Sequence, residues 1–462
     1  MCTALVNDEG QAAAQPARPL PSEIEFAPGT EEGSTAIGTS DRTSRRGLIA
    51  RLKQHPLARL GPGLITGVAD DDPSGIATYS QAGAQFGLAM LWTMPLAYPL
   101  MSAVQATCAR IGRVTGKGLA ANIAAIYPPA FVRALVLLLL VANTLNIAAD
   151  IAAMGEAAEL VTTVNRHVAT PIFVFATLLL QVFIPYHRYV VFLKWLTASL
   201  LAYAAVLFTV HVPWGEVARR IALPHLSIDG ASATMVLALF GTTISPYLFF
   251  WQASEEVEDL NSGKSILEAP ETARTELGRI NWDTWSGMFY SDATSICIIL
   301  ATAVTLHVGG VTSIDTAADA ASALRPLAGS FAFALFACGI LGVGLIGVPV
   351  LAGSAAYALA EAMGWHAGLE RRARDARGFY GVIAVSVLAA LVLQYTPISP
   401  MRALFWSAVI NGVVAVPMLV VITRLASMPR VMGDFVSSGP TRVLNWLAVA
   451  IMAAAALGMV LA

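Results

Sequence analysis

Apolar runs of roughly 18 to 25 residues recur along most of this chain, each long enough to cross about 30 Å of hydrocarbon at a helical rise of about 1.5 Å per residue. They fall at 61–84, 87–110, 131–155, 168–186, 190–211, 231–257, 282–305, 328–362, 379–396, 402–423 and 441–461. Inside lipid every backbone polar group needs an internal partner, so spans of this length are read as helices. Charged residues make up 13% of the 462 and hydrophobic ones 56%, with a mean hydropathy of +0.66. A soluble domain carries about a quarter charged residues. The expectation is an all-α membrane protein.

Lys and Arg set the orientation. Arg110, Arg113, Lys117 and Arg133 lie on one side with Arg188, Lys194, Lys264, Arg274, Arg279, the cluster Arg371 to Arg377, Arg424, Arg430 and Arg442. The other side holds only Arg166, Arg219, Arg220, Arg325 and Arg402. Residues 1–46 lack an apolar signal core and read as a disordered cytoplasmic tail. The basic patch of Arg45, Arg46, Arg51, Lys53 and Arg59 leads from it into a transmembrane domain at 47–462. The chain is thus expected to be a multi-pass protein of the cell inner membrane with a cytoplasmic N-terminus.

Several function classes drop out. A net charge of -2, with the basic residues spread over several segments rather than pooled on one, gives no nucleic-acid signature. Neither a Ser-His-Asp grouping with a nucleophile elbow nor H-E-x-x-H occurs, so no enzyme is expected. Of the four cysteines, Cys108, Cys297 and Cys338 sit in apolar runs and, like Cys2, have no paired spacing; small buried hydrophobes are expected.

Two spans break their own pattern at the middle. The first runs Val68-Ala69 into Asp70-Asp71-Asp72-Pro73-Ser74-Gly75, and the sixth holds Gly241-Thr242-Thr243-Ile244-Ser245-Pro246-Tyr247. Proline with glycine and carboxylates at mid-span should unwind the helix. Two interrupted helices, each opening a block of five, are the trace of an inverted repeat with its site at the bilayer midplane. The fold expected is a LeuT-type inverted repeat of 5+5 helices, 61–211 and 231–423, with one extra C-terminal helix at 441–461.

An unwound segment frees carbonyls for a cation, so the carbonyl oxygens of Ala69 and Thr242, the Asp72 carboxylate and the Ser245 hydroxyl are expected metal ligands. All are hard oxygens, suited to magnesium, manganese or calcium. The three adjacent aspartates cannot all face one ion, so with Asp72 pointing into the site Asp70 and Asp71 line an aqueous approach or pair elsewhere. Asp150, a charge in an apolar span, is either a proton relay or is held by a partner, and Asp292 is either a relay or a structural hydrogen-bonded acid. Asn411 is an amide ligand or an interhelical hydrogen bond. The run from Gly339 to Gly344 reads as close helix packing, and Glu255, Glu256, Glu258 and Asp259 as a solvated helix end or an exit funnel that concentrates cations. The leading function is secondary transport of a divalent cation, the metal being substrate and no cofactor being needed. The alternative is a small organic amine or amino acid, given volume by Gly75 and Ser245 and aromatic surface by Tyr247, Phe249, Phe250 and Trp251.

Gly61-Pro62-Gly63, Asp72-Pro73, Ala77-Thr78, Gln81-Ala82-Gly83-Ala84, Phe86-Gly87, Leu91-Trp92 and Val114-Thr115-Gly116-Lys117 resemble the first two helices of the NRAMP metal-transporter family. The resemblance implies an eleven- or twelve-helix LeuT-type fold, often proton-coupled, carrying manganese or ferrous iron between helices 1 and 6. By position it makes Asp72 the metal-binding aspartate, Ala69 a carbonyl ligand and Asp150 a recurrent acid of helix 3. Where the family's pattern reads Asp-Pro-Gly-Asn this chain has Asp72-Pro73-Ser74-Gly75, and where it reads Met-Pro-His-Asn this chain has Ser245-Pro246-Tyr247-Leu248. A helix-3 glutamate is replaced by Ala153. Losing the thioether relaxes selection against hard ions, and magnesium-transporting branches of the family also lack it. The chain therefore resembles an atypical branch favouring manganese or magnesium.

Overall fold

Proline sets where the helices start. A computed structural model describes residues 62–184, 198–224, 229–260, 263–369, 371–393 and 397–461. Its principal helices are α1 (Pro62–Asp70), α2 (Pro73–Phe86), α3 (Thr93–Thr115), α4 (Pro129–Val161), α5 (Arg166–Phe183), α6 (Gly230–Thr243), α7 (Pro246–Glu258), α8 (Ala273–Thr302), α9 (Ala332–Met363), α10 (Arg377–Leu393), α11 (Pro400–Leu425) and α12 (Gly439–Leu461). No strand occurs among the described residues. The tail 1–46, the basic patch, Arg188, Lys194 and the start of the fifth span lie outside them.

Proline opens α2, α4, α7 and α11, where its missing N–H costs nothing. It also drives the residue before it out of the helical region. Asp72 (φ -65°, ψ 170°) and Ser245 (φ -77°, ψ 132°) are accordingly extended. The expected interruptions of the first and sixth spans therefore occur, between α1 and α2 and between α6 and α7.

Among the described residues, seven helical stretches are individually long and apolar enough to cross a membrane, and the stretches Pro73–Met90 and Thr93–Thr115, bent by 113°, meet that requirement jointly. Gly87, the C-cap of α2, takes φ 57°, a conformation that suits glycine. The seventh span starts earlier than expected, at Ala273 rather than near 282. Its first turns carry Glu276 and Arg279, charges engaged in ion pairs that an apolarity pattern cannot register.

Small residues bring the helices close. A Cβ added at Gly67 would lie 2.3 Å from the Gly287 carbonyl oxygen, and one at Gly63 2.7 Å from Thr284 N, so α1 beds directly on α8. At Gly241 it would meet the Ala408 carbonyl oxygen at 2.1 Å, which seats α6 on α11. The glycine run of α9 is the packing surface expected of it: a Cβ at Gly344 would meet Met154 Sδ at 2.5 Å and one at Gly339 Leu200 Cδ2 at 2.9 Å. The cysteine expectation holds for Cys108, which is buried, but Cys297 is only half-buried and Cys338 is exposed. An apolar run in a membrane protein has an outer face as well as an inner one, and composition does not separate them.

Candidate functional site

Capping decides where the Asp72 carboxylate points. As the N-cap of α2, its Oδ1 accepts the Gly75 N–H at 2.9 Å and the Ser74 hydroxyl at 2.6 Å, satisfying donors at the helix start. Oδ2 is left facing inward. It accepts the Tyr247 hydroxyl at 3.2 Å and the Asn146 amide nitrogen at 3.0 Å. The same Tyr247 hydroxyl lies 3.2 Å from the Ala69 carbonyl oxygen, one of the free C-terminal carbonyls of α1. Asp72, Ala69, Tyr247 and Asn146 thus meet at one point, all buried.

The two breaks touch. A Cβ at Gly75 would come 3.2 Å from Thr242 Oγ1, and one at Gly347 3.2 Å from Asp72 Cβ, so glycines from α2 and α9 make room for the carboxylate and its neighbours. Ser245 turns its hydroxyl back onto the carbonyl oxygens of Thr242, at 2.6 Å, and Gly241, at 2.9 Å. Thr242 Oγ1 and both amide atoms of Asn411 are buried with no hydrogen-bond partner in the protein.

The other two aspartates of the triplet pair elsewhere, one of the two placements the sequence leaves open. Asp70 Oδ2 and Asp71 Oδ1 both meet Ser291 Oγ on α8, at 2.7 and 3.0 Å. Asp292 is buried beside Ser291 with one carboxylate oxygen unpartnered, and Asp150 on α4 is wholly buried with both oxygens unpartnered. Among the described residues no three His, Cys, Asp or Glu side chains converge to hold a metal. The hydrogen-bond partners of Asp72 Oδ2 are both neutral, the Tyr247 hydroxyl and the Asn146 amide.

Sequence reading passed over Asn146. The signal available was its place four residues before Asp150 in an apolar span, which puts both on one helix face with Asn143. The aromatic residues after the second break, Tyr247, Phe249, Phe250 and Trp251, are all buried, with Trp251 packed edge-on to Tyr357.

A model of the family described as natural resistance-associated macrophage protein-like, Nramp, matches residues 63–462. The chain belongs to this family. Similar to this Nramp chain are the divalent metal cation transporter MntH of Klebsiella pneumoniae (strain 342), 26% identical over 408 residues that make up 86% of this chain and 92% of that protein, and MntH of Yersinia pestis (strain Pestoides F), 27% identical over 319 residues, 67% and 73%. Among solved structures, a manganese transporter of Eremococcus coleocola in complex with an aromatic bis-isothiourea substituted compound superposes with a TM-score of 0.73 at 17% identity, covering 92% of this chain and 88% of that one. Mhp1, a nucleobase-cation-symport-1 family transporter in a closed conformation, gives 0.51 at 13% identity, covering 87% and 92%. The LeuT-type fold expected from the paired breaks is the fold of this Nramp protein.

The acidic end of α7 differs from expectation. Glu256 and Glu258 are held in a partly buried, ion-paired junction, while Asp259 at its rim stays exposed. Glu256 is wholly buried and pairs with Arg279 at 2.5 Å, while Arg113 bridges Glu276 at 2.7 Å and Asp259 at 3.5 Å. Glu258 accepts from the Tyr357 hydroxyl and from Leu369 N. Partners from α3, α8 and α9 desolvate acids that look solvent-bound in the linear chain.

Proposed function

We propose that this Nramp protein is a secondary active transporter that moves a divalent metal cation, manganese or magnesium, across the cell inner membrane by alternating access, with import the working direction. The carrying observation is the meeting of Asp72 Oδ2, the Ala69 carbonyl and the Tyr247 hydroxyl where the first span is interrupted. Discontinuous helices at the midplane supply freed carbonyls and helix ends to an ion. The MntH relatives, named as divalent metal cation transporters, support the same reading. In this proposal Asp72 and Ala69 bind the ion, Ser245 and Thr242 join once the Ser245 hydroxyl leaves its backbone partners, and Gly75, Tyr247 and Asn411 line the space around it. Asp70 and Asp71 stand beside the site through Ser291.

Oxygen donors with no thioether suit hard cations, which is why magnesium stands beside manganese. Asp150 and Asp292 are the proposed proton-relay groups, since buried carboxylates without basic partners need protons or a cation to balance them. The reading places the N-terminus in the cytoplasm, the two repeats at 61–211 and 231–423, and the metal as cargo of a protein that is not an enzyme. Thermal stability of the purified protein against a panel of magnesium, manganese, calcium and organic amines is the direct test, because a ligand of the folded site raises stability. Stabilisation by divalent ions, lost in Asp72→Ala, is expected; stabilisation by amines alone would overturn the reading.

A further inference from the structure

The Asp72 carboxylate is held by a hydrogen-bond chain with two arrangements. Asn146 directs its amide nitrogen to Asp72 Oδ2 at 3.0 Å, and its amide oxygen accepts from Ser407 Oγ at 2.6 Å. Ser407 Oγ also stands 2.7 Å from the Leu404 carbonyl oxygen. A hydroxyl carries one proton and donates to one acceptor at a time. With that proton on Asn146 Oδ1, the amide nitrogen must face Asp72. With it on the Leu404 carbonyl, Ser407 Oγ offers a lone pair at the same place, and the amide can turn over to put its nitrogen on Ser407 and its oxygen beside Asp72. The two ends of the amide are nearly alike in size, so the turn displaces nothing.

What sits at Asp72 Oδ2 decides between the arrangements. A bare carboxylate accepts from N–H, whereas a divalent cation there repels the amide hydrogens and attracts the amide oxygen. Asp72, Asn146 and Ser407 are all buried, so water does not compete strongly for either end. The Tyr247 hydroxyl on α7, 3.2 Å from both Asp72 Oδ2 and the Ala69 carbonyl, marks the same point.

We infer that Asn146 is a cation ligand whose amide turns over when the ion binds, with Ser407 as the pivot that satisfies the amide in both states. The inference rests on the divalent-cation reading of the Asp72 site. Asp72, Ala69 and Asn146 then offer three oxygens from three segments beside Tyr247, and Ser245, Thr242 and water complete the shell of a cation that takes about six. The amide is a neutral hard donor, so it adds affinity for magnesium and manganese without adding charge.

Crystals of the full-length wild-type protein soaked in manganese test this without any variant. The anomalous signal should fall at Asp72 with an Asn146 side-chain atom within about 2.5 Å, the range of a direct oxygen ligand. In solution, Asn146→Leu should weaken manganese and magnesium binding on the order of 10- to 100-fold, the loss expected when a group supporting a metal site is removed. A signal at Asp72 with Asn146 more than about 3.5 Å from the ion, beyond hydrogen-bond and ligand reach, overturns the inference and leaves the divalent-cation reading standing. Absence of both the signal and any metal-dependent stabilisation in wild type overturns that reading itself.

Discussion

Asp72 has two carboxylate oxygens with separate tasks: Oδ1 caps α2 and Oδ2 faces the site. Asp72→Asn keeps a capping oxygen and removes the charge, so the protein should fold while metal uptake into liposomes falls by on the order of 100-fold or more, the upper end of losses at tuned metal sites. A variant that folds and still transports would remove Asp72 from the site. Ser245→Met places a thioether where the hydroxyl now bonds back to Thr242 and Gly241. Competition uptake should then shift toward manganese and cadmium over magnesium by about tenfold, which corresponds to about 1.4 kcal/mol. An unchanged ratio would separate Ser245 from selectivity. The residues flanking the two prolines were legible because the proline rule acts on its immediate neighbour. Asn146 and Ser407 were not, since they reach Asp72 across long stretches of chain that only packing brings together.

Helix α1 is held by surface fit more than by its own length. Its nine residues bed Gly63 and Gly67 on α8, Gly63 N donates to Asp283 Oδ2 at 2.7 Å, and Thr66 donates to Gln252 on α7. Gly67→Ala would drive a methyl into the Gly287 backbone, which cannot yield as a flexible side chain does. Overpacking of this kind costs about 1–3 kcal/mol. The variant should unfold at lower temperature and, with Val68→Cys as reporter, label faster than the parent carrying that cysteine alone. Equal labelling would show that α1 keeps its seat despite the methyl. Both breaks were legible at this scale, because polar and proline residues interrupt an apolar run. The start of α8 and the junction at the end of α7 were not, because charges neutralised by partners from other helices look like solvent-facing charges when only one strand of sequence is read.

Among the described residues the ion pairs at the two ends differ in burial. At the end that the Lys and Arg bias assigns to the cytoplasm, wholly buried Glu256 pairs with Arg279, whose side chain is 28% exposed, and Glu361 on α9 accepts from Ser254 at 2.8 Å and Ala120 N at 3.1 Å. At the opposite end Arg402 meets Asp315 at 2.8 Å with side chains 65% and 45% exposed, and Gln81 takes Ile314 N at 2.8 Å. An exposed pair contributes about 0–1 kcal/mol, whereas removing one partner of a buried pair costs about 3–5 kcal/mol. If the two ends open in turn, as alternating access requires, neutralising one member of each pair should shift the balance unequally. Glu256→Gln leaves Arg279 partly buried without its nearest counter-charge and should favour conformers open at that end by on the order of 100-fold, since about 1.4 kcal/mol is tenfold. Asp315→Asn should change the balance at the other end by no more than about fivefold on the same scale. Thiol accessibility of single cysteines on either side of the site, read in vesicles of known orientation, measures both. Equal responses to the two substitutions would mean that burial does not set the strength of the closures, and the asymmetry drawn from the ion pairs would have to be abandoned.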